Sequence, residues 1–369
     1  GTQELPDNFT LSAVQGGGFD VTHAKPDKGN EFLILGDRNV LRNLTITYVN
    51  TPTPGPGAGR HQTKGKHYYP MAGMVATDKS DITFDHCRFV GSISHHIKLT
   101  NCSKPKIIGC HIVGGYWTIR LIGNVTDLVM RETVVEQCQG DGIKTGAPRL
   151  TKGAQRALIE NCVFQDCGRD GIDTTGGFKN SVVRNTIFRR MFVSALDLKS
   201  INRWESDLSP DIANTGIRIE NCRMVDMANA IVLTTIDRGP EHGGEQLLTA
   251  ENVEQHAPHD MDIVNCVVGQ TGKPGHALKH PTEVQQSMRM LFVKGGHSIR
   301  YDDVRFFGED IQVVGYENAF EQWKGRVLSK EAADAVNHSV TGTVGGPAEP
   351  GAPGDRSVPF EFGPRPLDD

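Results

Sequence analysis

Lys98, Arg120, Lys144, Asp173 and Asp197 hold one equivalent place in successive copies of a short strand pattern, and Lys199 follows Asp197 by two residues. The copies read SHHIKLT, YWTIRLI, GDGIKTG, RDGIDTT, VSALDLK and NAIVLTT. Side chains on a strand alternate between faces. Ile97, Ile119, Ile143, Ile172, Leu196 and Ile231 therefore form one column, and Leu99, Leu121, Thr145, Thr174, Leu198 and Leu233 a second, both facing inward. The charged residues between them face outward, about 4.8 Å apart if the copies stack as neighbours in a sheet. Asp141 and Asp170 precede their strands at one corner.

Two chemistries suit such a patch. β-Elimination from a uronate needs a cation to neutralise the carboxylate, which acidifies C5–H, and a base to take that proton. Arg120 or Lys98 suits the first role and Lys144 or Lys199 the second. Cationic neighbours lower a lysine pKa and aspartates raise it, so the sequence leaves the sign open. Asp141, Asp170, Asp173 and Asp197 are also candidate Ca²⁺ ligands, since Ca²⁺ takes oxygens from several carboxylates. Glycoside hydrolysis needs paired carboxylates, and separations of about 5 Å and 6.5–9.5 Å serve retaining and inverting enzymes. Asp173 with Asp197, or Asp170 with Asp197, offers such pairs. A purely structural ion-pair ladder is the competing reading.

His95 and His96 precede Lys98 and are expected on its face, as sugar contacts. Trp117, with Tyr116, lies beside Arg120, and Trp204 follows Lys199; aromatic residues flanking a charged groove suit sugar stacking. GGHSIR (295–300) has no partner that the sequence identifies, and no GxSxG, Walker A or zincin motif occurs.

A repeat must position these residues. DITFDHCRFV, PKIIGCHIV, TDLVMRETVV, ALIENCVF, SVVRNTIF, IRIENCRM and MDIVNCVV recur, anchored on Cys87, Cys110, Glu132, Cys162, Thr186, Cys222 and Cys266 with steps of 23, 22, 30, 24, 36 and 44 residues. A basal step with insertions at fixed corners marks one structural unit per repeat, whose face is buried only by stacking. The fold expected is an all-β, single-stranded right-handed parallel β-helix over residues 1–340, with an extended strap or tail at 341–369. Long insertions at 146–155, 201–215 and 236–260 leave the same edge of the strand stack and should wall one groove; 51–70 is a further Pro/Gly-rich, then basic, interruption. SKEAADAVNH (329–338) reads as a short helix with Ser329 as its N-cap.

Composition excludes more than it selects. Lys and Arg total 39 and Asp and Glu 44, a net of −5, which is no footprint for nucleic acid or an anionic membrane. No apolar run reaches the length of a membrane span. The opening GTQELPDNFT lacks a basic or apolar leader and reads as the mature form of a secreted or extracellular protein, with the periplasm as the alternative. Eight cysteines without a CxxC pair, mostly following a polar residue in an apolar run, read as buried thiols. A monomer is expected.

DGIDTTGGFKNSVVRNTIFRRMFVSALDLKS (170–200) resembles the pectin-degrading β-helix superfamily of pectate lyases and polygalacturonases. Asp170 and Asp173 match the NTDG-x-D motif of polygalacturonase-type hydrolases, and Leu198-Lys199-Ser200 the end of their DD-x-I-x-LKS motif. That motif's aspartate pair falls on Val193 and Ser194, NAIVLTT stands where GHG is expected, and no R-x-K follows, so a hydrolase of that type would lack its acid. The same strands resemble calcium-dependent pectate lyases with a DDG-x-D motif. Arg169 replaces that motif's first aspartate, and Lys199 stands two residues past the expected base, where Asp197 lies. The Arg/Lys ladder also resembles alginate and chondroitin lyases. The likeness spans about residues 80–270. The expected activity is β-eliminative cleavage of an acidic polysaccharide or oligosaccharide, with Ca²⁺ as the one conceivable cofactor. A hydrolase, a non-catalytic glycan-binding β-helix and a uronan epimerase are the alternatives.

Overall fold

The computed structural model describes residues 2–14, 17–22, 31–49, 51, 69–146, 153–202, 213–237, 247–271, 288–309, 311–316, 328, 330–336 and 340–348. Among them each strand pairs in parallel with its counterpart one coil away. One coil runs through Trp117–Ile122, Val129–Arg131 and Val134–Glu136 before the chain returns to the first face at Asp141–Thr145. That first face is an 11-stranded sheet. The other two faces merge through His297–Phe307, which pairs with both.

Corner chemistry explains the repeat. Between the second and third faces one residue per coil takes a left-handed conformation, with φ of 50° at Glu132, 54° at Asn161, 50° at Asn185, 52° at Asn221 and 49° at Asn265. Asparagine tolerates that region better than most side chains. The amides also link the coils: Asn221 donates to Asn185 at 3.3 Å and Asn265 to Asn221 at 2.7 Å. The next residue turns into the core, giving a column of Cys110, Thr133, Cys162, Thr186, Cys222 and Cys266. Each donates its S–H or O–H to the carbonyl two residues back, at 2.9 Å for the threonines and 3.3–3.4 Å for the cysteines. All eight cysteines are free and buried, as their setting in the sequence predicts. Burial pushes the Cys162 thiol up to about 12.

The inner columns follow the expected register. Ile97, Ile119, Ile143, Ile172, Leu196 and Ile231 pair in order, and all are buried. Burying such a side chain contributes about 1.5–3 kcal/mol. Beneath the Asp-Gly corners, Phe164 and Phe188 stack at 5.1 Å. A Cβ on Gly171 would lie 2.6 Å from Phe188 Cδ1 and 2.7 Å from the Ala195 carbonyl, so only glycine lets the corner rest on this stack.

Two short helices, α1 (Val253–His256) and α2 (Lys330–Ala335), share a satellite core of Leu248, Val253, Ala257, Leu328, Ala332 and Val336. α2 falls in the segment expected to be helical; Ser329 lies outside the described residues. Buried Asp237 accepts the N–H groups of Leu247 and Leu248, both at 2.7 Å, and so ties down the far end of one insertion. Val340–Val344 adds a further strand beside His297–Phe307. No helix among the described residues is long and apolar enough to cross a membrane.

Candidate functional site

The outward ladder exists as registered pairs: Lys98 beside Arg120, Arg120 beside Lys144, Lys144 beside Asp173, and Asp173 beside Asp197. Asp141 lies in register with Trp117, and Asp170 with Ser194. Parallel pairing in unbroken register therefore gathers residues spread over 100 positions of sequence.

Asp173 is the hub. One of its oxygens accepts from Lys144, and the other from Lys199 at 2.7 Å; Lys199 also pairs with Asp197. Arg169 reaches Asp141 at 3.7 Å, Asp173 at 3.8 Å and Asp170 at 3.9 Å. Ser194 donates its hydroxyl to Asp170 at 2.5 Å. Asp141, Asp170 and Asp173 can each bring an oxygen within 4.8 Å of the others. Asp197 is not one of that converging trio.

Burial orders the site in depth. The side chains of Asp141, Asp170 and Asp173 are fully buried, whereas Arg169, Lys199 and Lys144 keep 18 %, 16 % and 9 % exposure. Lys98 is partly exposed. Apart from Asp197, cations form the skin and carboxylates the floor.

The electrostatics separate the two lysines. Burial pulls Lys144 down to about 8, with Lys199 and Arg169 adding to it, and the pull of Asp173 and Asp141 does not offset this. Partial burial opposes the charge of Lys199 too, yet Asp173, Asp197 and Asp170 together raise it above the usual ammonium value. Asp173 is lowered: burial opposes ionisation, but Lys144, Lys199 and Arg169 outweigh it. Burial lifts Asp141 to about 6 and Asp170 well above the usual carboxylate range.

At the cationic end the rings form a stack. His95 lies 5.8 Å from Trp117 at an interplanar angle of 8°, and the Arg120 guanidinium sits 4.7 Å from the Trp117 centroid. His95 donates its Nδ1–H to the Trp117 carbonyl at 3.0 Å, and burial lowers its pKa to about 3, so its ring is neutral. His96 corrects the sequence expectation. It is fully buried between Tyr48 and Phe89, with ring separations of 5.4 and 6.1 Å, and cannot touch a ligand in the groove. The position before the isoleucine column is buried in every coil, at Thr118, Gly142, Gly171, Ala195 and Ala230 as well, so His96 and Ile97 both turn inward where the strand leaves its corner.

Arg169 is the residue that sequence reasoning undervalued. It stands one place before the strand, at the corner, and read only as a mismatch to a motif. Trp204 and the central parts of the three insertions (147–152, 203–212 and 238–246) lie outside the described residues. The described residues flanking them do leave the same end of Asp141–Thr145, Ser194–Asn202 and Asn229–Asp237.

The second face shows what a structural ladder looks like here. Arg131, Glu160, Arg184 and Glu220 alternate in sign on successive coils. Arg131 pairs with Glu160 at 2.9 Å, Arg184 with Glu160 at 2.5 Å, and Arg184 with Glu220 at 3.9 Å, with the arginines 38–46 % exposed. The groove ladder is unalternated and buried from Arg120 to Asp197, and three of its cations follow one another at 98, 120 and 144.

Residues 32–148 match the family described as right handed beta helix region. No curated protein matches the chain. Among solved structures, it is similar to the surface protein and adhesin PfbA of Streptococcus pneumoniae, with 10% identity, TM-score 0.50, and 86% of this chain and 88% of that one covered. It is also similar to an alginate lyase of Paenibacillus sp. str. FPU-7, with 14% identity, TM-score 0.46, and 84% and 99% covered. A third is a hyperthermoactive exopolygalacturonase of Thermotoga maritima, with 13% identity, TM-score 0.42, and 82% and 84% covered. Together with the parallel coils described above, the match identifies the architecture as a right-handed parallel β-helix.

Proposed function

We propose that the chain is a polysaccharide lyase that cleaves a uronate-containing glycan by β-elimination. The observation that carries this is the layering of the site: Lys144, Lys199 and Arg169 keep exposure above the fully buried Asp141, Asp170 and Asp173. A ligand in the groove meets ammonium and guanidinium groups first. That suits an anionic sugar and sets those three carboxylates behind the cations.

In this reading Arg120 and Lys98 neutralise the uronate carboxylate, which acidifies C5–H. Lys144, held in place by Asp173, takes that proton in its neutral form. The C5–H electron pair becomes the C4=C5 double bond, the C4–O4 bond breaks, and the proton on Lys144 passes to the departing O4. Lys199 stays charged and fixes Asp173 and Asp197. Trp117 and His95 form the wall against which a sugar ring stacks. A secreted setting and a single polypeptide accord with this reading.

Incubation with uronate polymers should produce the near-ultraviolet absorbance of the C4=C5 product, and Lys144→Ala should lose it. New reducing ends without that absorbance would refute elimination. They would favour hydrolysis, the second reading, whose support is that burial raises Asp170 well above the usual carboxylate range while its neighbour Asp173 is lowered.

A further inference from the structure

The converging carboxylates pose a separate question: what neutralises them. Three oxygens within 4.8 Å of one another, from buried Asp141, Asp170 and Asp173, form the kind of cluster that a divalent cation selects. Ca²⁺ takes about 6–8 oxygen ligands at about 2.3–2.6 Å. The residues present do not fit that demand. Both Asp173 oxygens already face lysine ammonium groups. The Arg169 guanidinium lies at nearly equal distance from all three carboxylates, 3.7, 3.8 and 3.9 Å, instead of docking on one.

We propose that Arg169 is the resident counter-cation of this cluster, standing where a divalent ion would otherwise be needed, so that the site works without metal. A guanidinium is always charged and presents five donors in a rigid plane, so one side chain serves several carboxylates at once. Its backbone is fixed on both sides. The Arg169 N–H donates to the Gly140 carbonyl at 3.1 Å, and its own carbonyl accepts from Val193 at 2.9 Å, so the backbone from which the guanidinium reaches is tied to the coils on either side. This inference concerns the carboxylate floor and holds whether the groove eliminates or hydrolyses.

The test needs no substrate. The chain is stripped with EDTA, then titrated with CaCl₂ by calorimetry and melted with and without Ca²⁺. The wild-type protein should give no binding heat and no change in melting temperature. Arg169→Ala and Arg169→Asp should melt lower in EDTA, bind Ca²⁺, and recover stability with it. Arg169→Lys keeps a charge in place and should fold and stay indifferent to Ca²⁺. An EDTA-reversible stabilisation of the wild-type protein by Ca²⁺ would overturn the proposal, and that arm stands even if a variant does not fold. A folded Arg169→Ala that ignores Ca²⁺ and melts like the wild type would overturn it too.

Discussion

Lys144 and Asp173 face each other on adjacent coils, and the carboxylate that holds Lys144 is held equally by Lys199 at 2.7 Å. A shared counter-ion stabilises each ammonium less than a private one. Lys199 has Asp197 as well; Lys144 does not, and it is Lys144 that burial pulls down to about 8. One lysine is thereby prepared to give up its proton while its neighbour is held charged.

Replacement should separate these roles. Lys144→Ala is expected to lower turnover by about 10²–10⁴-fold, the usual worth of a general base, and to lose less stability than Lys199→Ala, because Asp173 keeps Lys199 as its partner. Lys199→Ala removes the partner of two carboxylates, and breaking a buried pair costs about 3–5 kcal/mol. Denaturant unfolding of both variants, set beside their rates, checks this. Equal stability loss in the two would contradict the division of labour.

The pH profile should carry the Lys144 titration. The neutral amine is the active form, so kcat/KM should rise as pH climbs through about 8 and level off above it. Lys199, whose pKa is raised, contributes no limb below that. A profile that instead falls through the same region would mean that Lys144 acts as an acid.

Asp141 makes a stability prediction of opposite sense to an ordinary salt-bridged aspartate. Its folded pKa of about 6 lies above the unfolded value, so between pH 4 and 6 the folded state keeps a proton that the unfolded chain has released. Stability should therefore fall as pH rises through that window, by on the order of 2–3 kcal/mol. Asp141→Asn should flatten the slope in unfolding curves taken at intervals across it.

The legible part of this site was the part that obeys period two. Ile97 to Ile231 and Lys98 to Asp197 could be paired from the sequence because each coil repeats the same alternation without a slip, and the ladder follows from that alone. His96 was misplaced because the residue before that column faces inward in every coil, at Thr118, Gly142, Gly171, Ala195 and Ala230, and strict period-two alternation does not extend back to that corner. Arg169 was undervalued because corner residues have no period: its reach to Asp141, one coil back, depends on the turn and not on the strand.

The Cys/Thr column yields a prediction about packing. Cys222 donates to the Glu220 carbonyl at 3.4 Å and to Val183 at 3.5 Å, and Thr186, one coil earlier, makes the equivalent bond to Arg184 at 2.9 Å. The position asks for a small side chain with one donor aimed back at the strand, and the hydroxyl already satisfies it in other coils. Cys222→Thr should therefore stay within about 1.5 kcal/mol of the wild type, as volume-conserving core changes do when their polar atom is satisfied. Cys222→Leu adds bulk between coils held at the spacing of a sheet and should cost about 1–3 kcal/mol through overpacking. Chemical denaturation of the two variants decides it: a threonine variant less stable than the leucine one would show that the column is selected for apolar volume and not for its donor.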